Sequence, residues 1–288
     1  TNHAAIDWTG NTTNTTVGAG NSIELGGVLG RLTGSASSIL AKDFTNNGKI
    51  TITGNTSCPY PRFGGVAGYI TTHSIDDFDN TGVMDVNPTM TGATIKSNSH
   101  EINCGGVVGF FQTGAVTNCD NSGNMDIKHN LASVHQHLGG VAGYIATYGA
   151  LNKKNTNSAT ITTYNTHKTK RLRFGGLYAV TYRCDVTECT NEGHIVINSA
   201  SGSANQLYLG GISGYTYTGS GDKCDFTDVE FSGSISVNTP VATNTSGKRI
   251  GGISGCNNAS GSTYLRCINS GTITLPATLS EGSGATLM

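Results

Sequence analysis

The chain reads as an all-β protein, a parallel β-helix or β-solenoid of about seven three-stranded rungs. Three features of its sequence predict this. The dipeptide Gly-Gly followed by Val, Leu or Ile recurs seven times, with first glycines at Gly26, Gly64, Gly105, Gly139, Gly175, Gly210 and Gly251. A segment that alternates strictly between apolar and polar residues closes each unit. An Asn-x-Gly turn lies between the two, at Asn46, Asn80, Asn121, Asn191 and Asn269. A unit of three short strands cannot bury an apolar face alone, and stacking successive units into a coil solves that problem.

The first element of each unit is a glycine-rich apolar strand, such as GGVAGYI from Gly64 or GGVVGFF from Gly105. The spacings between units are 38, 41, 34, 36, 35 and 41 residues, so the length variation belongs in loops before each Gly-Gly. The second element carries an inward ladder, Phe44, Phe78, Cys119, Lys153, Cys189, Val229 and Cys267, preceded three residues earlier by Ala41, Ile75, Val116, Val186, Phe226 and Tyr264. Lys153 breaks this ladder, and Leu151 is the expected replacement through a local register shift. Glycine in the Asn-x-Gly turn is expected to supply a positive φ, and in the fourth unit Asn157 stands as its substitute. Stacked asparagines should hydrogen-bond from rung to rung.

The third element has the period of two that marks a strand. Its inward residues are Ile50/Ile52, Met84/Val86, Met125/Ile127, Ile161/Thr163, Ile195/Ile197, Ile235/Val237 and Ile273/Leu275. The residues between them are Thr51, Asp85, Asp126, Thr162, Val196, Ser236 and Thr274, a face expected to meet solvent. No unit shows a helical period. Residues 1–24 are expected to form an N-terminal cap or partial rung, 25–275 the solenoid, and 276–288 a tail or the start of a further segment. Seven rungs spaced by ~4.8 Å make a rod on the order of 35 Å long.

The combination of GG-V-x-G-Y, an apolar or cysteine position and an N-x-G turn resembles the GLUG-type repeats of large bacterial surface proteins. The closest segments are GGVVGFFQTGAVTNCDNSGNMDI at 105–127 and GGISGCNNASGSTYLRCINSGTITL at 251–275. The resemblance covers roughly Leu25–Leu275. It implies a cell-surface, adhesin-like stalk or display module, hence an extracellular location, secreted or anchored at an outer membrane. Implied partners are a host or cell-surface glycan or protein, or another copy joined end to end.

Composition narrows the alternatives. Only 12% of residues are charged and the formal net charge is −1, so steering toward nucleic acid or an anionic membrane is not expected. No apolar run is long enough to span a bilayer as a helix. No CxxC pair suggests a zinc site.

Four groups of residues could carry chemistry. Tyr69, Phe110, Tyr144 and Tyr215 follow the third glycine of their units, in a column with Arg31, Val180 and Cys256. They read either as a packed corner ladder or as a platform on which sugar rings stack. Asp76, Asp77, Asp79 and Asp85 in one unit lie beside Asp120 and Asp126 in the next. Register stacks Asp79 on Asp120 and Asp85 on Asp126, an arrangement eased by water or by a weak Ca²⁺ site. The Asp76–Asp126 patch is also where a carbohydrate-active β-helix lyase or glycoside hydrolase would place its carboxylates. Cys184 and Cys224 fall at matching positions of consecutive rungs, within disulfide reach. His129, His135 and His137 are expected in a solvated loop with no carboxylate beside them, and Lys168–Arg173 in a solvated basic loop. No catalytic constellation repeats, so the expected role is non-enzymatic, with no obligatory cofactor.

Overall fold

A computed structural model describes residues 1–9, 11–12, 22–34, 40–56, 58, 60–71, 73–90, 101–129, 135–165, 171–198, 206–219, 222–238, 247–276 and 286–287. The architecture is a parallel β-solenoid. The alternating segments form one eight-stranded sheet, from Ile6–Trp8 through Ile50–Ile52, Met84–Val86, Met125–His129, Thr160–Asn165, His194–Ile197 and Ser234–Val237 to Thr272–Thr274. The strands entering each Gly-Gly form a second, from Glu24–Gly26 through Arg62–Gly64, Glu101–Gly105, His135–Gly139, Arg171–Gly175, Gln206–Gly210 and Lys248–Gly251 to Thr286–Leu287. The segments between the Gly-Gly bend and the asparagine turn make a third, larger sheet. The leading segment adds a layer, because Ile6, Asp7 and Trp8 pair with Ile50, Thr51 and Ile52.

The expected inward ladders are buried in the middle units, whereas Ala41, Phe44, Cys267, Ile273 and Leu275 of the end units are half-buried and Tyr264 is exposed; the strands pair in the register that the period of two requires. The residues between them on the alternating strands are mostly half-buried rather than fully solvated. The fourth rung differs from the expectation. Asn155, not Leu151, stands beside Cys119 in the inward position, and Leu151 is 41% exposed. Asn155 is tolerated inside because its polar atoms are satisfied. Its amide donates to Val116 O at 2.8 Å and to the Tyr178 hydroxyl at 2.7 Å, and its oxygen accepts from Cys119 N at 2.9 Å. Lys153 turns outward to Glu188 at 2.8 Å.

The asparagines form a continuous internal ladder. Side-chain amides donate to the next side-chain oxygen from Asn2 to Asn46, Asn46 to Asn80, Asn80 to Asn121 and Asn121 to Asn157 at 2.9 Å, and from Asn157 to Asn191 at 2.8 Å. Asn157 is therefore a member of the ladder and does not replace a glycine. Ala159 takes the glycine position, as Gly193 of the next rung packs over its carbonyl. Phe231 ends the run, and Asn191 donates instead to Gly211 O at 2.8 Å.

The turn glycines are not there for a positive φ, since none of them adopts one. They are there because nothing larger fits. A Cβ on Gly82 would lie 2.1 Å from Gly48 O, and one on Gly123 2.1 Å from Gly82 O. The second glycine of each pair meets the ladder from the other side: a Cβ on Gly106 would lie 2.1 Å from Gly140 O and 2.3 Å from Asn121 Cγ.

Positive φ occurs elsewhere, and it recurs in each rung immediately before the second-element ladder, with Arg183 a further such site in the fifth unit. Asp43, Asp77, Asn118, Lys154, Glu188, Asp228 and Arg266 all lie between 50° and 63°. This left-handed residue swings the chain so that both flanking apolar residues point inward. Asp and Asn tolerate the conformation through their short polar side chains, whereas lysine has no such relief. Lys154→Gly is therefore expected to stabilise the fold by about 0.5–1 kcal/mol, read from urea unfolding. Asp77→Gly, at the equivalent site, should gain less.

Candidate functional site

Two outward columns flank the Gly-Gly bend. Before it run Glu24, Arg62, Asn103, His137, Arg173, Tyr208 and Arg249. After it run Arg31, Tyr69, Phe110, Tyr144, Val180, Tyr215 and Cys256. The third glycine of the unit brings them together. A Cβ on Gly109 would lie 2.7 Å from Phe63 N, and one on Gly143 2.7 Å from Cys104 N, so only a bare backbone lets the two strands close.

The columns interlock. The Arg62 guanidinium lies 4.0 Å from the Tyr69 ring centroid and 4.6 Å from that of Phe110. Arg173 lies 4.1 Å from Tyr215, and Tyr208 stacks on Tyr215 at 5.3 Å. Phe110 and Tyr144 stack at 4.8 Å, 8° from parallel. Tyr69, Phe110, Tyr144 and Tyr215 are thus half-buried, with ring faces turned to one another or to guanidinium groups. A sugar stacking on a ring needs a free face. What this column offers is ring edges, hydroxyls and guanidinium donors. The Tyr144 hydroxyl is itself paired with that of Tyr217, and the Tyr69 hydroxyl donates to Gln112.

The basic and histidine segments are not the loops expected of them. His135 and His137 lie in a strand and are buried, as are Leu172 and Arg173 of the next rung; Lys168–Lys170 fall outside the described residues. A carboxylate does stand beside the histidines. Glu101 pairs in register with His135, and Asn103 with His137. Glu101, His135 and His137 each present a donor atom within 4.8 Å of the others. Burial pushes the Glu101 carboxyl up, but the adjacent His135 imidazole and the Arg173 guanidinium hold it down to about 2. Burial pushes His137 down to about 3, which keeps its imidazole neutral at physiological pH. This cluster was readable by counting back from Gly-Gly: Glu101 and His135 each lie four residues before the first glycine, and Asn103 and His137 two.

The acids form two separate pairs. Asp79 stacks on Asp120 in the large sheet, and Asp85 on Asp126 in the sheet of alternating strands. Among the described residues no third carboxylate, histidine or cysteine converges on either pair. Asp126 is bound by Lys128 at 2.9 Å. Asp76 accepts from Thr117 at 2.9 Å and Asn118 at 2.7 Å and pairs with Lys42 at 3.1 Å, so its lone pairs are engaged. Asp79 and Asp120 border a shallow groove with Thr81, Ser122, Thr156 and Ser158.

Cys184 and Cys224 are neighbours on consecutive rungs, as their spacing predicts, but they are thiols rather than a disulfide. The Cys184 amide donates to Cys224 Sγ at 3.4 Å, and both residues are buried. Cys104, Cys119 and Cys189 also lie inside as packing residues, their thiols pushed up by burial.

Burial raises the Asp79 carboxyl above the ordinary aspartate range, and Asp120 adds to the effect. The folded chain therefore holds this proton more tightly than the unfolded one, and stability falls as pH rises through the window between the two values. Asp79→Asn is expected to stabilise the fold at neutral pH, and the gain should vanish as pH falls below the ordinary aspartate value. Urea unfolding at both pH extremes checks this.

Compared with protein-family models, curated proteins and solved structures, the chain matches none.

Proposed function

We propose that the chain is a non-enzymatic, extracellular structural or binding module, a stiff segment of a bacterial adhesin-like surface protein of the GLUG-repeat kind. The observation that carries this reading is the in-register stacking of the rungs, which continues past a local register shift between Ala146 and Ala150. Nearly every repeated side chain is engaged in packing or in a ladder, and the two acid pairs stand apart from one another. Such a coil resists bending because each rung is bonded along its length to the next. Its functional surface is the outer column pair beside the Gly-Gly bend, which repeats from rung to rung. A host or cell-surface glycan is the partner this surface suits, held by hydroxyls and guanidinium donors of Tyr69, Tyr144, Tyr215 and Arg62 rather than by ring stacking. Arg-mediated hydrogen bonds suit the oxygens of an acidic or hydroxyl-rich sugar.

A polysaccharide panel, assayed for new reducing ends and for unsaturated products, checks the non-enzymatic reading together with a glycan array. No turnover is expected. An array signal is expected that drops about tenfold when Tyr69, Tyr144 and Tyr215 are changed together to alanine. Turnover that disappears in Asp79→Asn or Asp120→Asn would overturn the reading in favour of a carbohydrate-active enzyme. An array signal unchanged in the triple variant would remove the column as the binding face.

A further inference from the structure

We infer that Glu101, His135 and His137 form a binding site for a late first-row divalent metal ion, with Zn²⁺ the best fit. The site is set by the sheet. Glu101 and Asn103 occupy alternate outward positions of one strand, and His135 and His137 occupy the matching positions of the next. Alternation puts i and i+2 on one face, and pairing puts the two strands ~4.8 Å apart. The four side chains therefore mark the corners of a small rectangle on a parallel sheet. One donor atom from each of Glu101, His135 and His137 lies within 4.8 Å of the others. That separation is close enough for a single ion to reach all three. Two imidazoles and a carboxylate are ligands that zinc accepts.

A second observation points to a ligand. His135 is only 6% exposed, and both of its ring nitrogens are buried without a hydrogen-bond partner. Its nearest charged neighbour, Glu101 Oε1, is 3.6 Å from Nδ1, too long for a hydrogen bond. Buried polar atoms are ordinarily satisfied, and an ion between His135 and Glu101 would satisfy this one. Tyr144 closes the site from above, its ring 5.7 Å from that of His137.

The neighbouring cations set the terms of binding. Arg171 and Arg173 stand one rung beyond the histidines, with Glu101 and Asn103 on the opposite side. His137 is held between Asn103 Oδ1, 2.9 Å from Nδ1, and Arg173 Nη1, 3.3 Å from Nε2. An ion that takes His137 binds Nε2 in place of Arg173 and keeps Asn103, whose Oδ1 accepts from Nδ1, as the outer partner fixing the ring. Arg173 can remain over Tyr215, 4.1 Å from its centroid, when it gives up His137.

The test uses the whole chain, freed of metal by a chelator and titrated with Zn²⁺ by calorimetry. One ion per chain is expected, with a rise in melting temperature as Zn²⁺ exceeds the dissociation constant. Glu101→Gln and His135→Gln are each expected to weaken binding roughly tenfold or more, while Asp120→Asn leaves it unchanged. Cu²⁺ added to the unaltered chain gives a readout that needs no variant: its electron paramagnetic resonance spectrum should carry superhyperfine splitting from two imidazole nitrogens. No saturable binding, affinity unchanged in both variants, loss of binding in Asp120→Asn, or a Cu²⁺ spectrum without nitrogen coupling would each overturn the site.

Discussion

The asparagine ladder is the interaction on which the rest of the fold depends. Six asparagines, Asn2, Asn46, Asn80, Asn121, Asn157 and Asn191, run in one ladder, the first five amides each donating to the next side chain. A buried amide is costly unless bonded, and the ladder is bonded only when successive rungs keep one register. The ladder therefore specifies stacking more sharply than apolar residues could, since isoleucine on isoleucine tolerates slippage. It also explains the glycines. The second glycine of each Gly-Gly pair and the glycine of each turn approach the ladder or the adjoining backbone so closely that a methyl group would overlap an atom of the ladder or of an adjacent rung. Where Phe231 interrupts the ladder, its ring occupies the space against Gly211 and Gly271.

The same closeness gives the outer face its character. Because the third glycine lets the strands on either side of the bend meet, their outward side chains interlock instead of projecting freely. Arginine, tyrosine and histidine side chains from the two columns consequently become part-buried on what would otherwise be a solvated surface. This burial leaves His135 without a partner and draws Glu101 and the histidines into one environment. A surface column can then hold an ion or an oriented donor set, which a row of solvated side chains could not do without losing more conformational entropy.

Much of the fold was legible in the sequence because a solenoid repeats its constraints. Ile50, Met84, Met125, Ile161, Ile195 and Ile235 could be aligned from their period and their distance from the turn, and they stack as expected. The fourth rung was misread because its apolar signal is missing: Asn155 replaces a hydrophobe and is bonded by Tyr178, a partner from the next rung that no local pattern reveals. The role of the turn glycines was misread because sequence gives residue type but not approach distance. The left-handed sites were missed because Asp, Asn, Lys, Glu and Arg share no single residue signature. The candidate site was the least legible part. His135 and His137 follow a stretch of variable length, and only alignment back from Gly-Gly sets Glu101 beside them.

Asn121 sits in the middle of the ladder, accepting from Asn80 and donating to Asn157, both at 2.9 Å. Replacing it by alanine removes two hydrogen bonds and strands a buried group on each neighbour, for an expected loss of roughly 2–4 kcal/mol. The most direct measurement is the urea-unfolding free energy of Asn121→Ala set in a double-mutant cycle with Asn80→Ala. The ladder account predicts a large single-mutant loss and clear coupling between the two positions. A single-mutant loss below about 0.5 kcal/mol, with the two changes simply additive, would contradict it.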